Sequence, residues 1–231
     1  MRILQVVHGF PPYEWAGTEL ATLHLAQALC ERGHEVTVLA RVYDASSPEG
    51  TLHEETFEGI PVARLVNNYA FASTFRLSYD NPLMNRPVMQ LLEHMHPDVV
   101  HIHHLQHLSV SLLRLMPALG YPTVLGLYDF FFPCHRVQLL DAQQHLCPGP
   151  EGGERCVPCL QEVASAQDAR HRFTEMARAL QAPDVVLTLS VFLADKIRGY
   201  FPFLAERLRA VPLGVKAVPG VTRECPSRTP R

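Results

Sequence analysis

The feature that most constrains the fold is a repeated alternation of short apolar segments and helical segments. Residues 2–8 (RILQVVH) form a nearly continuous apolar run, which is typical of a parallel strand buried on both faces. Residues 18–32 carry apolar side chains at helical spacing, and residues 35–40 (EVTVLA) form the next strand. A strand, a helix and a strand in this order predict a right-handed βαβ unit.

The same rhythm continues to residue 215. Further strands are predicted at 98–103, 122–127, 184–190 and 207–215, an edge hairpin at 51–66, and helices at 87–95, 105–119, 162–181 and 191–199. This pattern predicts an α/β fold, a Rossmann-like three-layer sandwich with a mainly parallel sheet. Residues 216–231 mix Pro, Arg, Ser and Thr without an apolar period, so we expect a disordered tail.

The first helix carries three finer predictions. Thr18 is the predicted N-cap, and Cys30 is expected in the core. The predicted buried face consists of Ala21, Leu25, Ala28 and Leu29.

The net charge and the lengths of the apolar runs indicate which kinds of partner to expect. The net charge of −3 gives no reason to expect nucleic acid. The N-terminus lacks a signal-peptide core, and no apolar run of about 18 residues predicts a transmembrane helix, so a cytoplasmic protein is expected. Peripheral membrane contact stays open. In the cytoplasm, clustered cysteines are more often metal ligands or redox groups than disulfides.

Four cysteines lie in a segment without clear periodicity, residues 129–160. Cys134, Cys147, Cys156 and Cys159 have the spacing C-x12-C-x8-C-x2-C. A C-x2-C pair with two further cysteines nearby fits a structural zinc site with four thiolate ligands. One or two disulfides, free thiols and an iron–sulfur centre are the alternatives.

Several segments together resemble the N-terminal domain of glycosyltransferase family 4, the retaining GT-B enzymes, in a cysteine-containing subgroup. They are HGFPPYEWAGTEL, ALCERGHEVTVLA, PDVVHIHHLQHLS, LGLYDFFFPCHRVQLLD with the following C-x-G-P and C-x-x-C, and VPLGV. The resemblance covers roughly residues 1–215. Their order and spacing carry it, since each piece alone is weak.

The resemblance implies two Rossmann-like domains that face each other across a cleft. Residues 1–215 would be the acceptor-binding domain, with the cysteine segment 129–160 as an insertion. The nucleotide-sugar domain, with its pair of glutamates, is expected to be absent. The acceptor would be a sugar or a lipid-linked molecule, and a nucleotide-sugar would bind only with a second domain or a partner chain. No catalytic metal is implied.

Candidate site residues follow from strand ends and from the family pattern. The candidate catalytic residues are His103, Tyr128 and Asp129, and the candidate substrate-binding residues are Ala16, Gly17, His104, His135 and Arg136. Ala16 and Gly17 stand where the family has two glycines, in the loop that approaches the donor diphosphate. The alternative is that this loop is only a turn.

The histidines after residue 101 have several interpretations. His103 and His104 end a predicted strand, where open α/β sheets bind ligands. They could contact a sugar hydroxyl or a phosphate, bind a metal, or be buried structural histidines.

Tyr128 is the main departure from the family pattern, which has His-Asp at this strand end. A tyrosine with a pKa near 10 is a poor base at neutral pH. Either the role moves elsewhere, for example to His135, or this member has altered activity. Asp129 either accepts a hydrogen bond from an acceptor hydroxyl or caps the following turn.

Three functions compete. The first is the acceptor-binding half of a retaining glycosyltransferase, inactive alone. The second is a non-catalytic binding or scaffold module derived from the same fold. The third is a zinc-dependent hydrolase, which would need a metal at the carboxyl edge of the sheet.

Overall fold

The predicted alternation of strands and helices is present in the computed structural model, which describes residues 1–70 and 74–214. The strands are β1 (Arg2–Val7), β2 (Glu35–Val42), β3 (Leu52–Phe57), β4 (Ile60–Val66), β5 (Val99–Ile102), β6 (Thr123–Leu127), β7 (Val185–Thr188) and β8 (Leu208–Ala210). The helices are α1 (Gly17–Glu31), α2 (Asn85–Met95), α3 (Ser111–Ala118), α4 (Val157–Leu160), α5 (Ala166–Ala179) and α6 (Val191–Tyr200).

All eight strands belong to one sheet in the order β3-β4-β2-β1-β5-β6-β7-β8. Every neighbouring pair is parallel except β3 and β4. Glu58 and Gly59 connect these two strands, and both have positive φ angles, as tight hairpin turns require. The mainly parallel α/β sheet and the edge hairpin are therefore confirmed.

Two hydrophobic cores cover the two faces of the sheet. Because side chains alternate along a strand, Leu4 and Val6 of β1 face one core, and Ile3 and Val7 face the other. The first core contains α2, α3, α5 and α6, whereas the second contains α1. The molecule thus has three layers, with unequal numbers of helices on its two faces.

The buried face of α1 differs from the prediction. Its buried residues are Glu19, Thr22, Leu23 and Ala26. The predicted residues Ala21, Leu25 and Ala28 instead line an open, largely apolar groove of about 700 Å³ beside β5, β6 and β7, whereas Leu29 lines the groove and also packs against the second core. The helix carries small and apolar residues on two faces, so periodicity alone selected the wrong one. Cys30 is exposed, which corrects its expected place in the core.

Several element boundaries also change. Ala16, not Thr18, is the N-cap of α1, and no side chain caps this end. The helix predicted at 105–119 forms only from Ser111, because residues 105–110 make a loop with a left-handed residue at His107. The predicted tail 216–231 lies outside the described residues. In the described part of the chain, no helix has the length and apolarity needed to cross a membrane.

The cysteine segment packs closely on α5 through Gly153. A Cβ atom at Gly153 would lie 2.7 Å from the carbonyl oxygen of Ala169, whereas one at Gly152 would meet nothing within 4 Å. Both glycines have positive φ angles. We expect Gly153→Ala to lower the free energy of unfolding by about 2–4 kcal/mol, as for other steric faults in a packed site.

Gly152→Ala is the matched control for this substitution. It carries only the cost of a left-handed alanine, about 1–2 kcal/mol. Urea denaturation of the two variants measures the difference. Equal losses would show that the segment does not press on α5 as the structure indicates.

Candidate active site

Three neighbouring strands end in polar residues at the same edge of the sheet. His8 follows β1, His103 and His104 follow β5, and Tyr128 and Asp129 follow β6. These strands are adjacent in the order β1-β5-β6, so their carboxyl ends meet. Ligands of open α/β sheets bind at this edge.

His104 and Asp129 form the accessible pair of this edge. The Nε2 atom of His104 lies 3.1 Å from Oδ2 of Asp129, and its Nδ1 atom accepts the backbone N–H of Gln106 at 3.1 Å. His104 therefore carries its proton on Nε2 and donates it to the carboxylate. Asp129 also accepts the backbone N–H of Phe131 at 2.8 Å. The Asp129 side chain remains 36% exposed, against 5% for His104, so the carboxylate is the group that a ligand can reach.

A second pair, His8 and Glu19, was not singled out by the sequence. Nε2 of His8 lies 3.1 Å from Oε1 of the buried Glu19, and the His8 ring lies 4.4 Å from the ring of His104. Burial, followed by repulsion from His104 and His107, lowers the pKa of His8 to about 3. At neutral pH the ring is neutral and donates to Glu19. Its Nδ1 atom has no hydrogen-bond partner among the described residues. One sequence signal could have identified His8: it stands at the end of a predicted strand, as His103 does.

His103 is enclosed behind Tyr128, which corrects its expected place against a ligand. Its side chain is fully buried, its Nδ1 atom lies 2.6 Å from the Tyr128 hydroxyl, and its ring lies 4.1 Å from that of His101. Burial holds the pKa of His103 well below its usual range and raises the pKa of Tyr128 to about 12. Both groups are therefore neutral near pH 7. Tyr128 lines the open groove, and Gly126 leaves room for its ring.

The loop before α1 carries the next predicted residues. Ala16 and Gly17 are exposed at the start of the helix, where no side chain caps the first backbone N–H groups. The positive end of the helix dipole is thus open to an anion. A Cβ atom at Gly17 would meet nothing within 4 Å, so the local packing does not require glycine at this position.

His135 and Arg136 lie apart from these residues. Both are exposed and line a small cavity together with the four cysteines. The ring of His135 lies 5.2 Å from that of Phe75. In the described residues, no hydrogen bond or ring contact joins His135 to Tyr128, His104 or Asp129. The structure therefore does not bring these two predicted residues to the strand-end cluster.

Comparison with known proteins identifies the family. The sequence profile described as Glycosyltransferase Family 4 matches residues 15–217. A search of curated protein sequences gave no match.

Solved structures with a similar fold include sucrose-phosphate synthase from Thermosynechococcus elongatus, with a TM-score of 0.55, 14% identity, and coverage of 93% of this chain and 48% of that chain. The catalytic domain of Starch Synthase IV from Arabidopsis thaliana, bound to ADP and acarbose, has a TM-score of 0.55, 15% identity, and coverage of 92% and 51%. A trehalose-6-phosphate protein from E. coli, bound with UDP-2-fluoro glucose, has a TM-score of 0.51, 11% identity, and coverage of 94% and 49%.

The chain spans about half the length of these structures. The profile match, in contrast, covers most of this chain, from the loop before α1 to beyond β8. The protein therefore belongs to glycosyltransferase family 4, and its fold corresponds to one Rossmann-like half of a GT-B enzyme.

Proposed function

We propose that this chain is the acceptor-binding half of a retaining glycosyltransferase that transfers a sugar from a nucleotide-sugar, and that it is inactive alone. The observation that carries the proposal is the exposed carboxylate of Asp129. Two donors hold it at the ligand-binding edge of the sheet, namely His104 Nε2–H and the Phe131 backbone N–H.

Each group at this edge has a role in the proposal. Asp129 accepts a hydrogen bond from a hydroxyl of a sugar or lipid-linked acceptor, and His104 keeps the carboxylate oriented. The neutral His8, hydrogen-bonded to Glu19, packs behind His104 and supports the position of that ring. The uncapped N-terminus of α1 faces the negative charge that develops on the leaving diphosphate. The nucleotide-sugar is held with a second domain or a partner chain, and no catalytic metal takes part.

A ligand titration tests the proposal directly. Monosaccharides, sugar phosphates and polyprenyl-diphosphate sugars would be added to the isotope-labelled chain, with the imidazole and amide resonances followed by NMR. We expect shifts at His8, His104 and the Gly17 amide for at least one acceptor class, and no turnover of UDP-, ADP- or GDP-sugars. Sugar transfer by the chain alone would contradict the proposal.

Asp129→Asn should weaken acceptor binding without unfolding the chain. The amide oxygen can still accept the Phe131 N–H, but the amide NH2 then opposes the Nε2–H donor of His104, and the charged acceptor for a ligand hydroxyl is lost. A hydrogen bond to a charged group is worth about 1.5–3 kcal/mol, so we expect a loss of affinity of about 10- to 150-fold. Asp195→Asn, on the exposed face of α6, is the control and should leave the affinity unchanged. Equal affinity of the two variants would remove Asp129 from the site.

One observation favours the alternative of a non-catalytic binding or scaffold module. Tyr128, at the position where the family pattern has histidine, is bonded to the buried His103 and is not a base at neutral pH. The module predicts that none of the carbohydrates shifts the strand-end resonances. It also predicts that Asp129→Asn does not change the affinity of the chain for any of these carbohydrates.

Location and further partners remain predictions from the sequence. A cytoplasmic protein without nucleic-acid partners, with peripheral membrane contact through a lipid-linked acceptor, is consistent with the proposed reaction.

A further inference from the structure

The four cysteines of residues 129–160 line one small cavity. Cys134, Cys147, Cys156 and Cys159 come from separate turns, a 3-10 helix and α4, and all four line the same cavity. Its volume is about 20 Å³. A cavity of this size has room for about one water-sized particle, which matches a single ion.

The backbone around this cavity is held in an unfavourable conformation. Four residues other than glycine have left-handed φ angles between Cys134 and Cys156, namely Val137, Leu139, Gln144 and Glu151. Such residues cost free energy and persist only where the surroundings fix them. Regular structure in this stretch is limited to the Leu140–Leu146 bridge and the 3-10 helix Glu151–Cys156. A bound ion that cross-links the segment would offset part of this cost.

A buried positive charge faces the cysteines. Arg172 of α5 is 4% exposed and donates to the carbonyl oxygens of Phe131 and Phe132. Its Nε atom has no hydrogen-bond partner, and no carboxylate lies within ion-pair distance of it among the described residues. Its guanidinium interacts electrostatically with the sulfurs of Cys156 and Cys134. A buried guanidinium without a carboxylate partner costs free energy, and a negatively charged metal–thiolate cluster beside it would offset that cost.

The chemistry of the ligand set selects the ion. Four sulfur ligands suit Zn²⁺ in tetrahedral geometry, or an iron–sulfur centre that would need more space. In the described residues, no three such side chains already have metal-ligand geometry, and the five described cysteines are unbridged. Closure on an ion thus requires the thiols to move from their positions in this structure. The Cys147 thiol, for example, would leave the carbonyl oxygen of Gly149, which it contacts at 3.6 Å.

We propose that Cys134, Cys147, Cys156 and Cys159 bind one Zn²⁺ as a structural site that fixes residues 129–160 against α5. Binding releases four thiol protons to solvent and gives a cluster with a net charge of −2, which the Arg172 guanidinium partly balances. The site does not take part in sugar transfer, so it stands or falls independently of the proposed function.

Metal analysis of the full chain, purified without chelator, tests the site. We expect one zinc per chain, four sulfurs at about 2.3 Å in the X-ray absorption spectrum, and the thiolate bands of a tetrahedral complex after exchange with Co²⁺. Cys156→Ser and Cys159→Ser should lose the metal, whereas Cys30→Ser, in the exposed position on α1, should retain it.

Three outcomes would overturn the proposal. The first is six free thiols and no metal after folding in the presence of Zn²⁺. The second is one or two disulfides in protein that was expressed and purified under reducing conditions. The third is bound iron in place of zinc. Because a cysteine variant could fail to fold, the stoichiometry and the Co²⁺ spectrum of the unchanged chain decide the question on their own. Arg172→Gln should weaken zinc binding at least tenfold, whereas Arg178→Gln, which is exposed on α5 and pairs with Glu175 of the same helix, should not.

Discussion

Acidification from pH 7 to pH 5 is expected to remove several kcal/mol of folding stability, because the site is built from buried, neutral histidines. Burial lowers the pKa of His8 to about 3 and of His101 to about 4, and it holds the pKa of His103 well below its usual range. In the unfolded chain all three titrate near pH 6.5. Below that pH the unfolded state binds more protons than the folded state.

The direction of the effect follows from this difference. The stabilisation is complete above pH 6.5 and is lost as the pH falls toward the folded-state pKa values. Each neutral histidine costs about 1.4 kcal/mol per pH unit below 6.5, which gives about 2 kcal/mol each at pH 5 for His8 and His101. His103 acts in the same direction. The sum is a large part of the 5–15 kcal/mol by which domains are typically stable.

Urea denaturation at pH 7.5, 6.5, 5.5 and 5.0 measures this loss. His101→Phe keeps a ring against His103. It should reduce the slope of the free energy of unfolding against pH by about 1.4 kcal/mol per pH unit, which is the contribution of one proton. His94→Gln, on the exposed side of α2, is the matched control and should leave the slope unchanged. A stability that stays flat between pH 7 and pH 5 would contradict the buried, neutral state of the cluster.

The parallel sheet could be predicted because central strands such as β1 and β6 are short apolar runs that are largely buried. Strands of this kind can be recognised from the sequence without knowledge of the tertiary structure. The covered face of α1 could not be predicted, because Ala21 and Leu25 alternate with Leu23 and Ala26 around the helix. One face of α1 packs against the sheet, and the other lies beside the groove. Which face is buried depends on the order of the strands in the sheet.

The candidate site was predicted by strand ends but not by partners. The rule that ligands bind at the carboxyl edge selected His104 and Asp129, which the structure joins. The same rule applies to His8, but its importance depends on Glu19, a residue on the neighbouring helix. His103 was misplaced because the alternation of side chains fixes a face of the sheet and does not fix the depth of burial. Only packing against Tyr128 shows that the ring is enclosed.

Arg64→Met should destabilise the fold and release the loop that leads into the site. Arg64, on β4, is almost fully buried, and its guanidinium donates to the carbonyl oxygens of Phe10 and Pro11 and to Oε1 of Glu55. It also lies over the ring of Tyr13, 4.9 Å from its centroid. Methionine fills much of the volume but donates nothing, so the Pro11 carbonyl loses its guanidinium donor and the Phe10 carbonyl keeps only the Glu14 N–H at 3.4 Å. Each such group costs about 1–3 kcal/mol, and we expect a loss of about 2–4 kcal/mol.

Glu55→Gln distinguishes the ion pair of Arg64 from its hydrogen bonds to the two backbone carbonyl groups. It removes the charge of the ion pair but leaves both carbonyl contacts, and Glu55 is partly exposed, so we expect a loss below about 1 kcal/mol. Hydrogen exchange should then show faster exchange in residues 9–16 for Arg64→Met and wild-type exchange for Glu55→Gln. If both variants behave alike, the ion pair holds Arg64 and the carbonyl contacts are secondary. If only Arg64→Met loosens the loop, the edge hairpin positions Ala16 and Gly17, because β4 supplies the guanidinium that fixes their loop beside the strand-end cluster.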